Sequence, residues 1–193
     1  MEATSHFNQN RPVHLALRDV HYERATSLLK DPCHMAIREL DAANYEEILF
    51  LLRTAREHCW SAIRDNGKNE NDGQFCKFIN MLAGNVKAVL AMLNLKNSVE
   101  ADDGFFFSFL EANRASVALQ AEEHERRARD IIRSLLSMLE LADNAFEGLK
   151  QANYDAFSGS ERERYKMAAA HHRELIEQRP ELPEYRKKTG IFR

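Results

Sequence analysis

Glycine, proline and cysteine are all scarce in this chain, with seven, four and three copies among 193 residues. So few turn-formers, with no window of alternating β-branched residues, leave a sheet nowhere to form, and the composition points to an all-α class. The cysteines, Cys33, Cys59 and Cys76, are odd in number and make no CxxC pair. That excludes a disulfide framework and fits a reducing compartment. The opening "MEATSHFNQNR" has no apolar run of the signal-peptide kind, so the expected location is cytoplasmic. No stretch approaches the roughly eighteen apolar residues a membrane span needs. An excess of one charge is missing too. With 27 Lys and Arg against 30 Asp and Glu, the net charge is −3 and the pI about 6.3. This balance is wrong for a protein that coats nucleic acid, though it leaves room for a local basic face.

Motifs that carry chemistry are absent as well. There is no GxGxxG, P-loop or nucleophile elbow. The eight histidines form no HxxxH, HExxH or ExxH pattern, and the helical ones (His14, His21, His58, His124, His171, His172) fall at unrelated angles to their apolar seams. His172 alone lies on a strongly apolar face, as a hydrogen-bonded core histidine would. Cys59 falls on a buried seam, where a thiol behaves as a small inert hydrophobe. The expectation is therefore no catalytic residue, no cofactor and no bound metal.

What the chain does have is helical periodicity. Ala121, Ala128, Ile132, Leu135, Leu139, Ala142, Phe146 and Leu149 recur three and four apart, and Ile131, Leu136, Met138 and Ala145 widen the stripe. The register extends back to the aspartates before Phe105, which predicts one rod over about 104–157, roughly 75 Å long at 1.5 Å per residue. Four further helices are expected. The first follows Pro12, with its seam on Val13, Leu17, Val20 and Leu28, and a short piece follows Asp31 and Pro32. The second, capped by Asn44 with Glu47, uses Tyr45, Ile48, Leu49, Leu52, Ala55, Cys59, Ala62 and Ile63. The third, from about Gln74 to Leu95, uses Phe75, Phe78, Ile79, Leu82, Val86, Val89, Leu90 and Leu93. The last, capped by Ser160 with Glu163, uses Tyr165, Ala168, Ala169, His172, Leu175 and Ile176. "NGKNENDG", 66–73, reads as an exposed, mobile loop. The domain plan is a flexible segment over 1–11, a single helical bundle over 12–179 organised around the long helix, and a tail over 180–193.

Glu122 and Glu125, then Glu140 and Asp143, make an ExxE followed by an ExxD. This pattern resembles the magnesium-binding signature of the all-α nucleotide pyrophosphohydrolases of the MazG type, and the resemblance implies a metal-dependent helical-bundle enzyme in which two helices bring those carboxylates together. The chain departs from it between the halves. "RRARDIIRSLLSML" contains no turn residue, so the two groups sit about 20 Å apart on one rod and cannot share an ion.

The remaining candidates are surfaces. "FFFSFL", 105–110, makes one end of the long helix apolar all round, with Phe105 and Phe109 pointing with Leu119 away from the main seam, so this face is covered either by another layer of the chain's own fold or by another chain. Arg126, Arg127 and Arg133 lie in the densest basic cluster, where Glu122 with Arg126, Glu123 with Arg127 and Glu125 with Arg129 are spaced for i, i+4 pairs. Ile191 and Phe192 close a basic tail. Together these eight residues define a non-enzymatic protein-interaction module, an adaptor, inhibitor or assembly subunit, that binds a protein partner or itself. A nucleic-acid-binding subunit is the further alternative.

Overall fold

The described residues of the computed structural model form five helices: α1 (Arg11–Lys30), α2 (Ala42–Asn66), α3 (Glu70–Ala101), α4 (Asp103–Ala156) and α5 (Gly159–Glu177). The residues described are 10–30, 42–66, 70–101 and 103–178. Side chains are described over 10–30, 43–65, 70–91 and 130–178, and at 123, 126 and 127. The fold is an all-α bundle. α1 packs on α2 and α5, α2 on α3, and α3 on α4. The expected terminal segments and the short helix after Asp31 fall outside the described residues, apart from the start of α1 at Arg11.

The long helix is present, with 54 residues and a length of about 81 Å at 1.5 Å per residue. Its described seam is Ile132, Leu135, Leu139, Ala142, Phe146 and Leu149, all buried, with Ile131, Leu136, Met138 and Ala145 packed at the flanks. The most enclosed helix, however, is α1. Its expected seam is too narrow. Val13 is only half-buried, whereas Leu15, Ala16, Tyr22, Ala25 and Leu29 join Leu17 and Val20 inside, and so do Arg11, Arg18, Asp19, His21 and Thr26. A helix buried on most of its circumference shows little amphipathic contrast, so its sequence cannot reveal a single face. Tyr22 joins two other helices, with its ring centroid 5.0 Å from Phe75 of α3 and 4.6 Å from Phe146 of α4.

Besides α3, which runs on to Ala101 past its expected end near Leu95, three boundaries differ from the periodicity reading. Asn44 is not a cap, because α2 already begins at Ala42. α5 starts two residues earlier than expected: Ser158 is the N-cap and Glu161 completes the capping box, because the chain leaves α4 at Phe157 and the first free serine takes the role. The third difference matters most. α2 runs to Asn66 and α3 starts at Glu70, so the polar stretch 66–73 is a connection of at most three residues, and Asp72 is wholly buried rather than exposed on a mobile loop.

Leu135 and Leu139 sit mid-seam on α4, and truncating either to Ala should cost about 2–5 kcal/mol in urea unfolding. Arg127→Ala should leave the midpoint unchanged. Equal effects from the leucine and arginine variants would show that the assigned face is wrong.

Candidate interaction surface

Asp72 stands in the first turn of α3, where the helix dipole favours a carboxylate. It accepts hydrogen bonds from three other positions. Arg18 donates through Nη1 to Oδ1 at 2.9 Å, Arg11 through Nη2 to Oδ2 at 3.2 Å, and Asn153 of α4 through Nδ2 to Oδ1 at 3.1 Å. Arg11 also donates to Asn153 Oδ1 at 2.7 Å. Arg18 reaches on through Nε to Asp19 at 2.7 Å, and Asp19 accepts from the Tyr165 hydroxyl of α5 at 2.7 Å. Burial opposes charge on both members of the Arg18–Asp19 pair. At Arg18 the attraction of Asp19, Cys59 and Asp72 overcomes it, and the pKa lies above the ordinary arginine value. Burial pushes the Asp19 carboxyl up against the pull of Arg18, but with two donors at 2.7 Å on its oxygens the pair stands as ions. One buried network thus ties α1 to α3, α4 and α5. Its members bond chiefly to one another, while Arg11 Nε and Arg18 Nη2 are buried without a hydrogen-bond partner.

Four of the histidines also converge, although no spacing motif in the sequence joins them. His14 Nδ1 and His58 Nδ1 are 3.1 Å apart, one of them carrying the shared proton. The rings of His58 and His21, and of His21 and His172, lie 6.1 Å apart, so a row of imidazoles links α1, α2 and α5. The pairs come from different helices, which is why no spacing motif marks them. His14 faces Asp65 at 3.7 Å, and His21 Nδ1 donates to the Leu17 carbonyl at 2.6 Å. No group of three or more His, Cys, Asp or Glu residues able to hold a metal is found among the described residues. Burial pushes His21 down to about 4 and His58 to about 3, and it lowers His14 and His172 as well.

Cys59 and Cys76, both buried and free, adjoin across α2 and α3. The neighbouring Cys76 thiol and then burial push Cys59 up, while the Cys59 thiol lowers Cys76. Cys59 is enclosed, as its seam position implied. A cleft of about 370 Å³ between α1 and α4 is lined by Tyr22, Glu23, Lys30, Asp143 and Glu147 among others, but Asp143 is taken up by the Tyr22 hydroxyl at 2.9 Å and Lys30 at 3.4 Å.

Of the surface candidates, Arg126 and Arg127 both pair with Glu123, and Arg133 pairs with Asp130 at 3.6 Å. These are exposed i, i+3 and i, i+4 bridges on one helix. The side chains of Phe105, Phe109 and Leu119, and all of Ile191 and Phe192, lie outside the described residues. Glu140 and Asp143 lie on the same continuous α4 as Glu122 and Glu125, so the carboxylates of the metal-binding resemblance do not face one another across two helices.

The outer face of the α2–α3 hairpin is different. Arg53, Arg56, Trp60 and Arg64 recur three and four apart on α2, and Lys77, Met81, Gly84 and Lys87 do so on α3. Arg56 Nη1 donates to Asn80 Oδ1 at 3.4 Å, and inside the hairpin Cys59 Sγ donates to the Asp72 carbonyl at 3.4 Å. These contacts set the two stripes side by side and antiparallel. Trp60 is 51% exposed and Met81 50%. None of the five cations is in an ion pair. The surface holds apolar area and charge that the fold does not use. No protein-family model, curated protein or solved structure matches the chain.

Two outcomes follow from the interior. Asp72→Ala leaves Arg11 and Arg18 buried without their shared carboxylate and should cost about 3–5 kcal/mol in denaturant unfolding; a loss as small as that of an exposed bridge would contradict the network. The histidines have folded pKa values below the unfolded 6.5, so the unfolded chain takes up protons that the fold refuses. Their contribution is intact above pH 6.5 and is lost as pH falls toward 4. Urea midpoints at pH 7.5 and 5 should differ, and His58→Gln should narrow the difference; a flat profile would show that the row is not held neutral.

Proposed function

We propose that this chain is a non-enzymatic protein-interaction module, an adaptor, inhibitor or assembly subunit, whose partner sits on the outer face of α2 and α3. The observation that carries the reading is Trp60, half in water on a helix whose other apolar residues are almost all covered. Tryptophan is the residue most enriched among interface anchors, and leaving its ring in solvent forgoes burial that the fold could otherwise have gained. The interior supports the same reading, because the carboxylates of Asp72 and Asp19 and the Tyr165 phenol are taken up by Arg11, Arg18, Asn153 and one another. The head of α4, with Phe105, Phe109 and Leu119, belongs to the proposal as a second contact on its sequence pattern, as do Ile191 and Phe192. No described helix is long and apolar enough to cross a membrane, and two adjoining buried thiols that remain free suit a cytoplasmic setting.

A double variant, Trp60→Ala with Met81→Ser, removes the two exposed anchors. Surface changes of this kind shift stability by only about 0.5 kcal/mol, so the thermal melt should hold while affinity capture from the native host loses the partner seen with the unaltered chain. An identical set of captured proteins would contradict the proposal. So would magnesium-dependent release of pyrophosphate from a common nucleotide, which favours the enzymatic alternative.

A further inference from the structure

The charges around Trp60 identify the kind of partner. Arg53, Arg56 and Arg64 share the exposed stripe of the tryptophan on α2, and Lys77 and Lys87 lie on the exposed stripe of the adjoining α3. Glu57 is the one carboxylate of α2 between Arg53 and Arg64, and the described α3 has none from Lys77 to Ala91. Elsewhere most described cations are paired, although Arg162 of α5 bonds only to the carbonyls of Tyr154 and Asp155. On α4 and α5, Arg126, Arg127, Arg133, Lys150, Lys166 and Arg173 each hold a carboxylate of this chain. In a chain of net charge −3, five cations that face no carboxylate among the described residues, along the same face as Trp60, form a local field of opposite sign. Such a field steers an anionic partner and fixes its register, while the aromatic and methionine side chains supply contact area.

We infer that the α2–α3 face docks an acidic amphipathic helix of another protein, laid along the hairpin with its apolar side on Trp60 and Met81 and its carboxylates on Arg53, Arg64, Lys77 and Lys87. The inference rests on the interaction reading above and adds the chemistry of the partner. Gly84 lies in the α3 stripe one turn from Met81. A Cβ built there meets nothing within 4 Å, so the packing of this chain does not demand the glycine, and its bare backbone leaves room for a partner helix to approach closely. A protein helix suits the site better than a nucleic acid. The face carries one exposed aromatic ring and not a series of stacking platforms, and a methionine and a glycine share the surface with it.

Trp60 is the only tryptophan in the chain, so its fluorescence reports on the site in the intact protein. Titration with an acidic amphipathic helical peptide of Glu and Leu should shift the emission to the blue, and raising the salt from 50 to about 300 mM should weaken binding by roughly tenfold or more. The same peptide with Lys in place of Glu should not bind. A triple variant, Arg53→Glu with Lys77→Glu and Lys87→Glu, should lose at least tenfold in affinity with an unchanged circular-dichroism melt. Gly84→Ala should melt no lower than the parent chain and bind more weakly. Single-stranded polydeoxythymidine binding more tightly than the acidic peptide would overturn the inference in favour of nucleic acid. Sedimentation showing a dimer that the triple variant abolishes would overturn it in favour of a second copy. No fluorescence response to the acidic peptide would overturn the acidic-partner inference alone, since Trp60-dependent partner capture could still stand.

Discussion

The fold depends on one buried carboxylate. Asp72 receives Arg11 and Arg18 from α1 and Asn153 from α4, at the point where α3 begins. Without it, Arg11 would be buried with no carboxylate and Arg18 would keep only Asp19, a loss of pairing that costs several kcal/mol in a buried site, a large share of the stability of a domain of this size. With it, the short α2–α3 connection is drawn inward and becomes the start of a helix. Replacing such a cluster with apolar residues can leave a protein equally stable, so the network is better understood as fixing which helix ends meet than as a source of net stability.

The same closure explains where function resides. Polar groups that might have served chemistry are committed. Asp19 holds Tyr165 and Arg18, Asp143 holds Tyr22 and Lys30, and Glu23 holds Lys150 and Arg173. Burial pushes the Tyr22 and Tyr165 hydroxyls up, reinforced by the carboxylates they serve, so both remain donors. The α2–α3 hairpin is anchored from inside by Cys59 and Asp72 and faces outward with its cations unclaimed. A rigid scaffold bearing a pre-formed charged surface loses little conformational freedom on binding.

What could be read from the sequence follows from its physics. Helix existence and the seams of α2, α3, α4 and α5 were legible because each has one apolar face at helical spacing, and Leu135, Leu139 and Phe146 fell where expected. α1 was misjudged because it is buried nearly all round, with Arg18, Asp19 and His21 inside and no polar face to set against an apolar one. Asp72 was misread because "NGKNENDG" has the composition of a loop, and nothing local shows that two arginines 54 and 61 residues away will claim its aspartate. The histidine row was illegible for the same reason, since His14, His58 and His172 come from three helices. The basic face was half legible. Arg53, Arg56, Trp60 and Arg64 share one stripe in the sequence, but their lack of ion-pair partners appears only in three dimensions, whereas the more conspicuous Arg126 and Arg127 are neutralised by Glu123.

The account stands on α1 and the first turn of α3 forming a single closed unit, and native-state hydrogen exchange tests that directly. Amides of α1 around Arg18 and of α3 just after Asp72 should exchange only through global unfolding, with the same dependence on denaturant as the core of α4 at Leu135. Fast, denaturant-independent exchange after Asp72, as an open polar loop would show, would contradict the buried network and everything placed upon it.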